Sequence, residues 1–272
     1  MRQWRLIDDQ PAPGAWNMAV DMAILEAVAA GESLPTLRLY AWNPACLSLG
    51  YGQRIADVDH ERLLERGWDI VRRPTGGRAI LHTDELTYSV ALPVADDLAA
   101  GTVVESYRRL SRALMSGLEY LGAQLESKPA AQAAGYHLGP VCFETPSHYE
   151  ITWAGRKLVG SAQVRRAGGV LQHGSVPLVG DIGRIVDALA YPDEHEREAA
   201  RAQVRARATS LTEALGQDVF FSQVSAALVM GFQSALQVDF VETAAQPTVS
   251  EIARARQLHA EFFAHPPWTS RR

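Results

Sequence analysis

Near the N-terminus the apolar positions change their period once. "WRLID" alternates apolar and polar residues, the mark of a short strand, and "GAWNMAVDMAILEAVAAG" then spaces its apolar residues for a helix that stops at Gly31, a natural C′ residue. "TLRLYAW" and "ACLSLGY" predict two strands on either side of Asn43-Pro44, read as a hairpin-type turn. "DVDHERLLERG" predicts a short polar helix, and "WDIVRRP", "RAILH" and "ELTYSVALP" predict strands rich in β-branched and aromatic residues. Between Gly101 and Gly122 the apolar residues Val103, Tyr107, Leu110, Leu114, Leu118 and Leu121 fall three and four apart, which predicts a helix with one buried face. After an Ala-rich stretch, "HYEITWAGRKLVGSAQVRRAGGVLQHGSVPL" predicts three strands, with turns at Ala154-Gly155 and at Ala167-Gly168-Gly169.

Beyond residue 180 the pattern turns helical. "DEHEREAARAQVRARA" carries mixed charge all round, which fits a solvated helix better than a nucleic-acid arm. Ser210 with Glu213, and Thr248 with Glu251, have the spacing of capping boxes that start two further helices, with "VDFVETA" as one last strand between them. This order implies an α+β fold: a mixed or antiparallel β-sheet core packed by helices, followed by a helical C-terminal segment. We expect one domain over residues 1–272, with a core at 1–180 and a mainly helical segment at 181–272.

Composition narrows the class of partner. The 272 residues are 47% hydrophobic and 21% charged with a formal net charge of −5, an ordinary globular balance with no strong field for nucleic acid or anionic lipid. No apolar run is long enough to span a membrane, and "MRQWRLIDDQP" has no apolar core of the signal-peptide kind. Two distant cysteines make neither a disulfide framework nor a zinc site. Both thiols are expected to stay free in a reducing, cytoplasmic protein.

Three stretches carry candidate chemistry. In "RRPTGGRAILH", Gly76 and Gly77 allow a tight turn with exposed backbone N–H groups, and Arg72, Arg73 and Arg78 add fixed positive charge suited to phosphate or carboxylate. A basic surface turn would have the same pattern, and the spacing matches neither a Walker loop nor a dinucleotide fingerprint. In "GRKLVGSAQVRR", strand alternation puts Lys157, Ser161 and Gln163 on one face, which could be a solvated edge or a pocket wall. His82 and His173 have no partner at metal-ligand spacing and read as core or pocket-lining imidazoles; His148 lies near Cys142 in sequence.

Cys142 stands out. "GPVCFETPSHYE" sets it in a proline-bracketed loop beside Glu144 and Ser147, whereas Cys46 sits in an apolar strand. An ordinary thiol with a pKa of ~8.5 is only a few per cent thiolate at neutral pH, and activating it takes roughly 2.7 kcal/mol of differential stabilisation. One ammonium at close range supplies energy of that order, and Lys157 on the following strand is the natural source.

"RRPTGGRAILHTDELTYSVALP", "GRKLVGSAQ" and "LQHGSVPL" together resemble the lipoate–biotin protein ligase and octanoyltransferase superfamily, across roughly residues 4–180. ATP-dependent lipoate ligases usually carry a third glycine where this chain has Arg78, and "VCFETPSHYE" is similar to the cysteine loop of the cysteine-dependent octanoyl-[acyl-carrier-protein]:protein octanoyltransferases of Gram-positive-like type. The resemblance implies that Cys142 accepts an octanoyl chain from octanoyl-acyl carrier protein as a thioester. The chain would then pass to a lysine of a lipoyl domain such as the glycine-cleavage H protein, with no ATP or other cofactor. By the same resemblance Lys157 is catalytic, as thiolate stabiliser or proton acceptor. Arg73, Gly76, Gly77, Arg78, His82, Ser161, Gln163 and His173 would form the substrate pocket. "RRPTGGR" and "RRAGG" are the expected sources of a basic docking patch, and a monomer is expected. An octanoyl amidotransferase acting between lipoyl-domain proteins, an ATP-dependent lipoate–protein ligase and a non-catalytic acyl- or adenylate-binding module are the alternatives.

Overall fold

The computed structural model describes residues 1–128, 150–241 and 246–272. An eight-stranded mixed sheet runs β11 (Val238–Phe240), β1 (Arg2–Asp8), β2 (Thr36–Tyr40), β6 (Glu85–Pro93), β10 (Gly169–Pro177), β9 (Arg156–Arg166), β8 (Glu150–Trp153) and β7 (Glu126–Lys128). β1 is parallel to both β11 and β2; every other pairing in this sheet is antiparallel. A second sheet of three strands has β3 (Cys46–Leu49) at its centre, parallel to β4 (Asp69–Arg72) and antiparallel to β5 (Ile80–His82).

Alternation along β6 divides the interior. Leu86, Tyr88, Val90 and Leu92 join the core under α3 (Val103–Tyr120) and α6 (Phe221–Leu236). The residues between them, Glu85, Thr87, Ser89 and Ala91, are also buried or nearly so, yet most are polar. On their side lies α1 (Gly14–Ala29), whose Met18, Ile24 and Leu25 form a core with Ala91, Leu171 and residues of α7 (Val249–Leu258). α1 is buried on almost every side, and it takes Asn17 and Asp21 inside with it. A third cluster fills the space between the small sheet, α2 (His60–Glu65) and α4 (Glu194–Arg207).

The fold is the α+β arrangement that the pattern implies, with differences in two connections. β2 and β3 do not form a hairpin: both neighbours of β2 are strands of the large sheet, and both neighbours of β3 belong to the small one. The Asn43-Pro44 stretch therefore carries the chain from one sheet to the other. The box at Ser210 and Glu213 starts only a five-residue helix, α5 (Leu211–Leu215), ended by Gly216 in the left-handed region. The long helix that follows, α6, begins at Phe221 without that signal. Among the described residues no helix is long and apolar enough to cross a membrane.

The helical C-terminal segment is tied into the core by buried charge. Arg5 of β1 donates from Nη1 and Nη2 to the Glu251 carboxylate of α7 at 2.8 and 2.6 Å, and Ser33 donates to the same group. Burial alone would raise the Glu251 pKa; the Arg5 hydrogen bonds, the Thr248 backbone N–H and Ser33 together hold it below the ordinary carboxylate value. Arg5→Ala should therefore destabilise the protein by about 3–5 kcal/mol in denaturant unfolding, because it leaves a buried carboxylate without its partner. A depressed carboxylate stabilises the fold above its unfolded pKa. The wild-type advantage over Arg5→Ala should accordingly shrink as pH falls through the folded Glu251 value.

Candidate functional site

A cavity of ≈ 320 Å³ opens where the small sheet faces the polar side of β6, β9 and β10, a volume at the low end for small-molecule sites. Met18, Trp42 and Ile80 supply apolar wall, and Arg73, Arg78, His82, Lys157 and His173 bring titratable groups to it. The register explains why these residues meet. Cys46 pairs with His82 across β3 and β5, so Ser48, two residues along, shares the face of His82. Thr87 pairs with Ser175 and Ser89 with His173 across β6 and β10, which gathers hydroxyls and an imidazole on one side of the large sheet.

Two imidazoles line the cavity, each braced from behind by a buried carboxylate. His82 Nδ1 lies 2.6 Å from Glu85 Oε1, and its Nε2 lies 2.7 Å from Ser48 Oγ. The ring stacks on Trp42, with 3.9 Å between centroids and 9° between planes. Glu85 also accepts from Thr87 at 2.5 Å and from Ser175, and Trp42 Nε1 donates to Thr87 Oγ1 at 2.7 Å. Burial pushes the Glu85 carboxyl up, but the His82 charge and these hydrogen bonds outweigh it and hold the group below its ordinary value.

The second imidazole, His173, places Nε2 2.7 Å from Thr75 Oγ1 and Nδ1 3.6 Å from Asp21 Oδ2. Asp21 accepts further hydrogen bonds from Arg38, Tyr40 and Ser89 at 2.8, 2.9 and 2.8 Å. Burial lowers the His173 pKa despite Asp21, with Arg73 and His82 adding to the effect, so this ring is neutral at physiological pH.

The arginines of these runs divide into braces, an exposed Arg166 and one open cation on the cavity wall. Arg72, 0% exposed, bonds the carbonyls of Gly50, Gln53 and Thr269, and Arg73 bonds those of Ser48, Gly76 and Arg78. Arg165 is likewise committed to the carbonyls of Ala99, Gly101 and Thr102. The "RRPTGGR" and "RRAGG" runs thus spend most of their charge inside the protein. Arg78 differs: half-buried on the cavity wall, its guanidinium has no hydrogen-bond or ion-pair partner among the described residues.

Lys157, only 3% exposed, reaches the cavity and pairs with Glu150 Oε1 at 2.8 Å. Gly77 and Ser161 line the cavity too, whereas Gly76 and Gln163 do not. Gly76 holds Arg73 through its carbonyl. Ser161 Oγ accepts from Tyr88, and Gln163 donates to Ser106 and Gln172, a polar set turned towards α3. A bulge in β9 between the residues paired with Ile151 and Thr152 breaks the alternation, so Lys157 faces the cavity while Gln163 turns away, and the shared face expected from the sequence is not kept. Cys142 and His148 lie outside the described residues. Ser48, Thr75, Glu85 and Asp21 join the site without having been singled out in the sequence; only the hydroxyl of Ser48 amid the apolar "CLSL" hinted at one of them.

The geometry can bind an acyl-sized group against an ammonium, with imidazole bases at hand. Among the described residues no cluster of histidine, cysteine and carboxylate side chains is suited to a metal ion.

Solved lipoate-protein ligases share this fold. The chain superposes with a TM-score of 0.82 on the bipartite lipoate protein ligase of an archaeal lipoylation system from Thermoplasma acidophilum, at 26% identity, covering 99% of this chain and 97% of that one. A lipoate-protein ligase A bound with ATP gives a TM-score of 0.80 at 25% identity, with 99% of both chains covered. Residues 13–233 match the lipoyl protein ligase A/B catalytic domain, and the chain belongs to that family. Among its relatives, the octanoyltransferase LipM of Exiguobacterium sibiricum is 44% identical over 88% of this chain and 89% of that protein. Those of Moorella thermoacetica and Carboxydothermus hydrogenoformans are 41% and 36% identical, covering 99% and 98%, and 100% and 100%, respectively.

Two outcomes follow from the site. Cys46 is wholly buried, and burial first, then the charges of Asp69 and Glu85, push its thiol well above the ordinary value. Native protein at pH 8 should leave Cys46 unalkylated by iodoacetamide in peptide mass analysis, while urea-unfolded protein should label there. A Cβ at Gly50 would overlap the carbonyl of Gly77, which itself has φ +92°. Gly50→Ala should displace the 75–78 turn and cost about 1–3 kcal/mol in chemical denaturation.

Proposed function

We propose that this protein transfers an octanoyl group from octanoyl-acyl carrier protein through a Cys142 thioester to a specific lysine of a lipoyl domain, such as the glycine-cleavage H protein. The observation that carries this reading is Lys157: a buried ammonium at the wall of an acyl-sized cavity, paired to a glutamate shortly after Cys142 in the chain. Full-length similarity to proteins named octanoyltransferase supports it, as does structural likeness to a ligase described together with its E2 lipoyl domain.

In the first half-reaction the Cys142 thiolate, favoured by the Lys157 charge, attacks the carrier thioester, and the carrier thiolate leaves. One thioester replaces another, so the exchange is nearly balanced. In the second, the acceptor amine attacks the enzyme thioester and an amide forms, a downhill step that needs no ATP. Two protein partners use one cavity in turn, which is what a covalent intermediate permits. Met18, Trp42 and Ile80 receive the alkyl chain, and Arg78 is the open donor for a polar group at the cavity wall.

The likeness to an ATP-bound ligase favours one rival, ATP-dependent attachment of free lipoate. Intact mass after mixing with octanoyl-carrier protein, without ATP, separates the two. We expect one octanoyl group to be gained, removed by hydroxylamine and absent in Cys142→Ala. Lys157→Met should slow loading by about 10²-fold, the thiolate population that one neighbouring ammonium secures. A protein that loads nothing from the carrier, yet attaches lipoate when given ATP, would be a ligase.

A further inference from the structure

Amide formation from a lysine poses a proton problem. The acceptor side chain arrives as an ammonium, and its nitrogen has no lone pair until a base removes a proton. Lys157 is badly suited to be that base. The Glu150 carboxylate, 2.8 Å away, stabilises its ammonium form.

The hydrogen bonds around His82 assemble a better one. Glu85 is an ionised carboxylate and only accepts, so His82 Nδ1, 2.6 Å away, carries the proton. Nε2 is the ring nitrogen left to face Ser48 Oγ, at 2.7 Å. Arg73 only donates, and its Nη1 gives a hydrogen bond to Ser48 Oγ at 3.1 Å, leaving the serine proton to point at Nε2. The result is an ordered chain, Ser48 to His82 to Glu85, with Ser48 on the cavity wall where Lys157 also stands. It has the connectivity of a serine–histidine–carboxylate triad.

Resting on the transferase reading above, we propose that Ser48 and His82 form the proton relay that deprotonates the acceptor lysine. Ser48 Oγ takes a proton from the substrate ammonium as its own proton passes to His82 Nε2, and Glu85 stabilises the imidazolium. The free amine attacks the thioester carbonyl, and the C–S bond breaks with its electron pair going to Cys142. The second amine proton goes to that sulfur. Ammonium, thioester and neutral histidine have become amide, thiol and imidazolium, so protons and charge balance; imidazolium and thiol then return their protons to solvent. Ser48 touches the substrate, whereas His82 and Glu85 act through it. The charged and titratable groups facing His82 are Glu85 on β6, Arg73 after β4, Cys46 opposite it on β3, and His173, Lys157 and Arg78 across the cavity.

The test separates the half-reactions. Ser48→Ala and His82→Gln are loaded with octanoyl from octanoyl-carrier protein, and the loss of the Cys142 adduct is followed with two acceptors. Lipoyl-domain lysine arrives protonated; hydroxylamine is already a free base at neutral pH. The relay predicts that, once loaded, both variants are slowed in transfer to lysine by about 10²–10⁴-fold more than in release to hydroxylamine. Lysine transfer at the wild-type rate overturns the relay. Equal slowing with both acceptors also overturns it, since that marks a distorted pocket. If wild-type protein itself never loads, the transferase reading fails first, and the relay falls with it.

Discussion

A carboxylate buried between two sheets organises the site. Glu85 begins β6 in the large sheet, yet its oxygens accept from His82 on β5 of the small sheet and from Thr87 and Ser175 on the large one. Taking such a charge out of water costs several kcal/mol, and only donors held in good geometry offset that cost. The donors here come from three strands, so meeting the demand of one carboxylate fixes the small sheet against the large one. The cavity is the space left in front of that join. Asp21 repeats the arrangement from α1, binding Arg38, Tyr40, Ser89 and the neighbourhood of His173.

This construction explains how one cavity can combine apolar wall with so much polar chemistry. Trp42, Met18 and Ile80 make the surface apolar, while the hydroxyls and imidazoles behind it are satisfied by one another. Satisfied polar groups in a dry site are rigid, and rigidity is what orients a proton donor or acceptor before the substrate arrives. The buried arginines belong to the same logic. Arg72 and Arg73 gather carbonyls of the irregular segments around residues 48–54 and 76–78, which frees few charges for the exterior. Arg78 is left over because it sits just past the turn that Arg73 closes.

Much of this fold was legible in the sequence, since periodicity reports whether a segment is helix or strand. The three strands after residue 150, the helix after Gly101 and the cap at Thr248 follow local pattern closely. Periodicity carries no information about which sheet a strand joins, and β2 and β3 therefore looked like a hairpin. In the site, Lys157, His82, His173, Arg73, Arg78 and Gly77 were legible because their motifs are continuous in the chain. Ser48, Glu85 and Asp21 were not. Ser48 and Asp21 sit in an apolar strand and a helix where a lone polar residue reads as an exposed one, Glu85 follows Asp84 and Thr83 as one more polar residue before a strand, and the importance of each comes from partners brought by other elements.

The two cysteines show how one field sorts chemically identical groups. Cys46 and Ser48 share a face of β3, next to the same buried glutamate. For a thiol whose reactive form is an anion, that carboxylate is an obstacle, and burial adds to it; Cys46 packs with Val71 and Trp42 as a small hydrophobe. For a hydroxyl that only has to pass on a proton, the same carboxylate helps, because it stabilises the imidazolium that receives it. A nucleophilic thiolate needs the opposite environment, a cation with little negative charge close by. Lys157 brings a cation to this cavity, and its glutamate partner lies at the start of β8, on the far side from Glu85 in strand order. The cavity thus brings a paired cation and a carboxylate-backed imidazole to one space, and the acyl transfer proposed above from thiol to amine uses both.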